Sequence, residues 1–132
     1  MEAIAKKAFF VQRLNDHVQY LDKVTKTLKG RADFHGCDCH CCKLGQWLDH
    51  GGTEEIQSFV PDATSIVPEL LARHAEFHEV SNQALTFHEL GQDQQAYQAM
   101  TQVHTLSNRL VSLLLTIDRQ ARGTVTQLSI VS

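Results

Sequence analysis

Residues 68–91 read PELLARHAEFHEVSNQALTFHELG, and the fold turns on them. Leu70, His74, Phe77, Ser81, Ala84 and His88 recur at alternating spacings of four and three, with Leu71, His78 and Leu85 flanking them. That period gathers the apolar side chains on one face of an amphipathic helix. Pro68 suits a first helical turn, whose N–H groups have no intrahelical partner, and Gly91 supplies the stop. His74 and His78 lie one turn apart on the face that the pattern would bury.

The same rhythm extends outward from this stretch. Upstream, Phe10, Leu14, His17, Leu21, Val24 and Leu28 form the stripe of a first helix that ends near Gly30. Downstream, Asp93 can cap a last helix whose stripe is Ala99, Val103, Leu106, Leu110, Leu113 and Ile117, ending near Arg122-Gly123. Between Gly30 and Pro68 the pattern is broken. A loop leads into a short helix from about Cys39 to Leu48, closed by Gly51-Gly52, and another turn or two can follow over Thr53 to Phe59 before Pro61-Asp62. Three long amphipathic helices and a short one with brief connections predict an all-α fold, an antiparallel four-helix bundle whose short helix carries a cysteine motif. The bundle takes residues 1–123, and 124–132 form a flexible or docking tail.

Composition narrows the function. The chain has 132 residues, 42% of them hydrophobic and 20% charged, which suits one globular core. A net charge of −3 with no basic stripe argues against nucleic-acid and anionic-membrane partners. No run approaches the roughly 18 to 20 apolar residues of a membrane span, so a cytoplasmic protein is expected. All four cysteines fall within Cys37-Asp38-Cys39-His40-Cys41-Cys42. Structural disulfides would be spread out to close long loops, whereas a tight Cys/His cluster points to metal or redox chemistry.

Three histidines interrupt apolar stripes: His17 on the first helix, and His74 and His78 on the third. An i, i+4 pair suits chelation of a tetrahedral ion such as zinc, with Zn–N bonds of about 2.0 to 2.1 Å, and His17 can approach from the neighbouring helix. The plainer reading is that such histidines line the core edge and bond to water or backbone. Cys42-Lys43-Leu44-Gly45-Gln46-Trp47 adds a thiolate on the short helix, a glycine that permits close approach and a large packing anchor.

With these segments in order, His17-Val18-Gln19-Tyr20, then Cys42 to Trp47, then His74-Ala75-Glu76-Phe77-His78, the chain resembles the chemoreceptor zinc-binding domain family. The likeness continues through His88-Glu89-Leu90-Gly91 and the closing helix with Ser107. It implies one zinc held by His17, Cys42, His74 and His78, a closed His₃Cys set with no vacancy for a substrate. It also implies a sensor of zinc or of oxidants, as in domains attached to bacterial chemoreceptors and diguanylate cyclases. No such output domain is expected within these 132 residues. Signalling is therefore expected through a homodimer or a separate protein of chemoreceptor or diguanylate cyclase type.

Two other readings stand beside it. A hemerythrin-like di-iron bundle would draw on His17, His50 with Glu54, His74 with His78, and His104, although Gly51-Gly52 should break the helix between His50 and Glu54. A metal-free docking bundle would make the histidines incidental. His88, His104 and His50 are read as bundle-edge or loop residues. An enzyme is not expected: the chain has no nucleophile motif with Ser, His and Asp, no glycine-rich phosphate loop and no H-E-x-x-H, because Ala75 follows His74. The extra cluster of His35, Cys37, Cys39, His40 and Cys41 leaves three readings open: an inert loop, thiols that resolve an oxidised Cys42, or a second soft-metal site.

Overall fold

The computed structural model describes the backbone of residues 2–131 and the side chains of residues 11–122. Its helices are α1 (Glu2–Leu28), α2 (Lys43–Trp47), α3 (Thr53–Phe59), α4 (Ala63–Glu89) and α5 (Asp93–Val131), with no strand among the described residues. The side chains of 123–132 lie outside the described residues, and with them the role expected for a tail at 124–132.

α1 and α4 end where the sequence placed their stops, whereas α5 continues to Val131, past the end expected near Arg122-Gly123. A glycine inside a helix costs only about 1 kcal/mol and need not stop it. Gly30 takes φ +75°, its N–H bonds the Thr27 carbonyl at 3.0 Å, and Arg31 N–H reaches the Lys26 carbonyl at 2.8 Å. A left-handed residue after the last turn lets these N–H groups satisfy carbonyls that the helix leaves over. Gly91, at φ +74°, does the same for α4, where Gln92 N–H bonds the Phe87 carbonyl at 2.8 Å.

α4 begins earlier than expected. It starts at Ala63, so Pro68 lies inside the helix rather than in its first turn. Proline there removes the bond to the Thr64 carbonyl, but both residues are exposed, and water can replace the lost donor. The short helix is also trimmed. α2 covers Lys43–Trp47 with Cys42 as its N-cap, and a wide turn at 48–52 separates it from α3.

α4 and α5 form a hairpin that makes the largest helix interface, and α1 lies against both. His17 meets Ser107 in mid-bundle, while Leu28, His88 and Met100 line one cavity at one end. α1 and α4 therefore run the same way and α5 runs back, with α2 and α3 on the return path between α1 and α4. The core gathers Val24, Leu44, Ile56, Leu70, Phe77, Val103, Leu110 and Ile117, all fully buried and drawn from α1 to α5. Burying side chains of this size contributes about 1.5 to 3 kcal/mol each. His17, His74 and His78 are only 3%, 2% and 3% exposed, so the polar interruptions of the stripes are inside this core and each needs a partner.

Candidate metal centre

α4 supplies the pair. His74 and His78 project from one face of the helix, and their Nε2 atoms stand 3.1 Å apart. The Cys42 Sγ comes to 3.3 Å from His74 Nε2, and the three donor atoms all lie within 4.8 Å of one another. Among the described residues, this is the one group of three or more His, Cys, Asp or Glu side chains gathered closely enough to hold a metal ion.

Local structure explains how Cys42 gets there. Its backbone is extended at φ −78° and ψ 163°, and its sulfur accepts the Gly45 N–H at 3.2 Å, so the thiol caps the first turn of α2. The cap aims Sγ back at α4. Gly45 is required for a different reason: a Cβ there would run into the Cys39 carbonyl and come within 2.8 Å of its carbon. The close approach expected of Gly45 is thus made by the backbone of the preceding loop. Trp47 anchors the short helix, 8% exposed, with Nε1–H donating to Glu55 at 3.0 Å.

The loop from Gly30 to Cys41 is tied to the centre through Cys37. His78 Nδ1 lies 3.0 Å from the Cys37 carbonyl, which also receives Asn82 Nδ2 at 3.1 Å and the Tyr20 hydroxyl at 3.3 Å. A carbonyl only accepts, so His78 carries its proton on Nδ1 and leaves the Nε2 lone pair facing His74 and Cys42. The Tyr20 ring packs edge-on against His78 at 4.5 Å and walls the site. Tyr20 belongs to a recognisable sequence segment, but the carbonyl of Cys37 and the amide of Asn82 have no signal in a one-dimensional pattern.

His17 is placed differently. It is buried beside the group, its ring edge against Phe77 at 4.7 Å, and its Nε2 is 2.9 Å from Ser107 Oγ. The structure brings together Cys42, His74 and His78 and holds His17 on Ser107.

Burial sets the protonation states at the site. Burial, followed by the neighbouring His78 and His17, lowers the His74 pKa to about 3, and burial followed by His78 lowers that of His17 to about 4. Burial also lowers His78. These imidazoles are neutral at pH 7, the form that donates to metal. Burial raises the Cys42 thiol, against the backbone N–H groups of Gly45 and Leu44 that lower it. Zn–N and Zn–S bonds of about 2.0 and 2.3 Å in a tetrahedron set donor atoms about 3.3 to 3.7 Å apart. Two of the three separations, 3.1 and 3.3 Å, are close to that spacing and the third lies within 4.8 Å, and the imidazole and thiol character of the donors suits zinc.

A family-level comparison matches residues 17–85 to the chemoreceptor zinc-binding domain, more than half of the chain. The chain belongs to that family. No curated protein and no solved structure matches it. The matched span opens at His17 and includes Cys42, His74 and His78, so the gathered donors lie inside the part that defines this zinc-binding domain.

Residues of the di-iron alternative are not assembled. Gly51, at φ +106°, and non-helical His50 break the chain between His50 and Glu54, and both of those residues are exposed, as is His104. The remaining cluster does not gather around an ion either. His35 bonds Glu89 at 3.1 Å and His40 bonds Asp49 at 2.8 Å, both on the surface. Cys37 and Cys41 are paired sulfur to sulfur, and Cys39 and Cys42 are free thiols. Among the described residues no helix is long and apolar enough to cross a membrane.

Proposed function

We propose that the domain is a regulatory sensor in which His17, Cys42, His74 and His78 hold one zinc ion. The observation that carries this reading is the gathering of the half-buried Cys42 Sγ with ring nitrogens of the buried His74 and His78, all within 4.8 Å of one another. Bound zinc supplies the positive charge that keeps Cys42 a thiolate at neutral pH.

The protein's own residues do the rest. His78 is fixed in the donating tautomer by Cys37, and Cys42 is aimed by its cap on α2. His17, held on Ser107 beside the group, would complete the set by giving up that bond, which would make α1 responsive to occupancy. Four protein donors leave no position for a substrate, so the site binds and signals rather than catalyses. Zinc availability and oxidation of Cys42 act on the same bonds, because an oxidised sulfur is a poorer ligand. The change reaches its output through a second copy of the chain or a separate signalling protein of chemoreceptor or diguanylate cyclase type, in the cytoplasm.

Elemental analysis of protein purified without added metal tests the reading. About one zinc per chain and no visible absorption is the expected result. Two irons per chain with oxo-bridge absorption would replace it with a di-iron bundle, and a metal-free sample that takes up no zinc would leave a docking bundle.

A further inference from the structure

Beside the donor group, a cleft of about 360 Å³ opens between α1 and the segment that precedes α2, with Cys37 and Cys41 in its lining. The Cα atoms of Cys37 and Cys41 are 6.0 Å apart, a separation that a disulfide spans. Cys41 is exposed, so a reagent can reach the pair from solvent. Lys23 and Lys43 also line the cleft, together with Asp16.

The position of the pair matters more than its presence. Cys37 is the residue whose carbonyl fixes His78 at 3.0 Å, and Cys41 directly precedes Cys42. A bond between them joins the backbone that orients one donor to the backbone that delivers another. Tyr20 and Asn82 clamp the same carbonyl, so restraint on Cys37 passes to the centre rather than dissipating in the loop.

We propose that Cys37 and Cys41 form a reversible disulfide that tightens metal binding at the neighbouring centre, formed by exchange with a small anionic peptide disulfide of the glutathione class. The two lysines of the cleft suit the carboxylates of such a peptide. In the first step the Cys41 thiolate attacks one sulfur of the peptide disulfide, whose S–S bond breaks and releases one peptide thiol. The Cys37 thiolate then attacks Cys41 Sγ in the mixed disulfide and releases the second. Two protein thiols and one small disulfide become one protein disulfide and two small thiols. The two electrons pass to the peptide, and the two cysteine protons end on its thiols.

The inference rests on the zinc-binding reading. A closed five-residue loop has fewer conformations to lose when the donors gather, so the oxidised form is expected to bind zinc about three- to tenfold more tightly. The test is a zinc competition titration against a chromophoric chelator, on the full chain equilibrated in reduced or oxidised glutathione. Alkylation and peptide mass mapping read the linkage in the same samples. The expected result is a Cys37–Cys41 bond with Cys39 and Cys42 alkylatable, tighter zinc in the oxidised sample, and no redox dependence in Cys37→Ser or Cys41→Ser. The wild-type comparison suffices if a serine variant misfolds. Equal affinities in the two buffers, or a linkage through Cys42, would overturn the proposal and leave the zinc domain standing. Failure to bind zinc in either buffer would remove the metal reading and this inference together.

Discussion

His78 gives its Nδ1 proton to the Cys37 carbonyl at 3.0 Å, a contact across 41 positions of sequence that leaves Nε2 bare at the centre of the donor group. The ligand geometry therefore depends on a loop carbonyl as much as on α4. Replacing Asn82, which donates to the same oxygen at 3.1 Å, perturbs the loop without touching a donor. Asn82→Ala is expected to weaken zinc binding about tenfold, in line with other partners of metal ligands. An unchanged competition titration would show that the carbonyl needs no second clamp.

Cys42 and Cys39 should separate cleanly. Cys42→Ala removes the thiol 3.3 Å from His74 and is expected to raise the zinc Kd at least a hundredfold, whereas Cys39→Ala should shift it by less than about threefold. The reverse ranking in chelator competition would overturn the assignment of the sulfur donor.

Ser107 distinguishes two roles for His17. If His17 leaves its 2.9 Å bond to Ser107 when it joins the metal, that bond stabilises only the metal-free form. Ser107→Ala then costs the metal-free protein about 1 kcal/mol and tightens zinc by up to about fivefold. Weaker zinc binding in this variant would mean that Ser107 supports His17 as a ligand instead.

Acid should destabilise the metal-free protein. Histidines in the unfolded chain titrate near 6.5, whereas burial lowers His74 to about 3 and His17 to about 4 in the folded chain. Between those values the unfolded state holds more protons, so stability rises with pH, is complete above about 6.5 and is lost as pH falls toward 4. Urea unfolding of chelator-treated protein at pH 7.5 and 5.5 reads this directly. His74→Leu is expected to flatten the slope, and a pH-independent midpoint in the wild type would contradict neutral burial of these rings.

Gly45→Ala tests the approach of the loop to α2. A methyl group at this position meets the Cys39 carbonyl, which is backbone and cannot swing aside. The expected loss is about 2 kcal/mol or more, read as a lower melting temperature, with weaker zinc binding because Cys42 is carried on the same turn. A melting temperature within a degree of wild type would show that the loop yields freely.

Sequence periodicity alone determined the helical fold, because burial of a stripe every 3.6 residues is a local constraint that each helix satisfies from its own residues. It also marked His17, His74 and His78 as costly polar intrusions into a core, while the motif from Cys42 to Trp47 and the family resemblance it carries, not periodicity, pointed to the segment that would bring a thiol to them. Pro68 misled the start of α4, since an exposed carbonyl can exchange its helical donor for water and the helix continues upstream. Tertiary structure decided the rest: that Cys42 reaches His74 while His17 rests on Ser107, that Cys37 pairs with Cys41, and that a single loop carbonyl orients His78. Those relationships join residues far apart in the chain or depend on a backbone atom that every residue type carries. No pattern of side chains along the sequence encodes them.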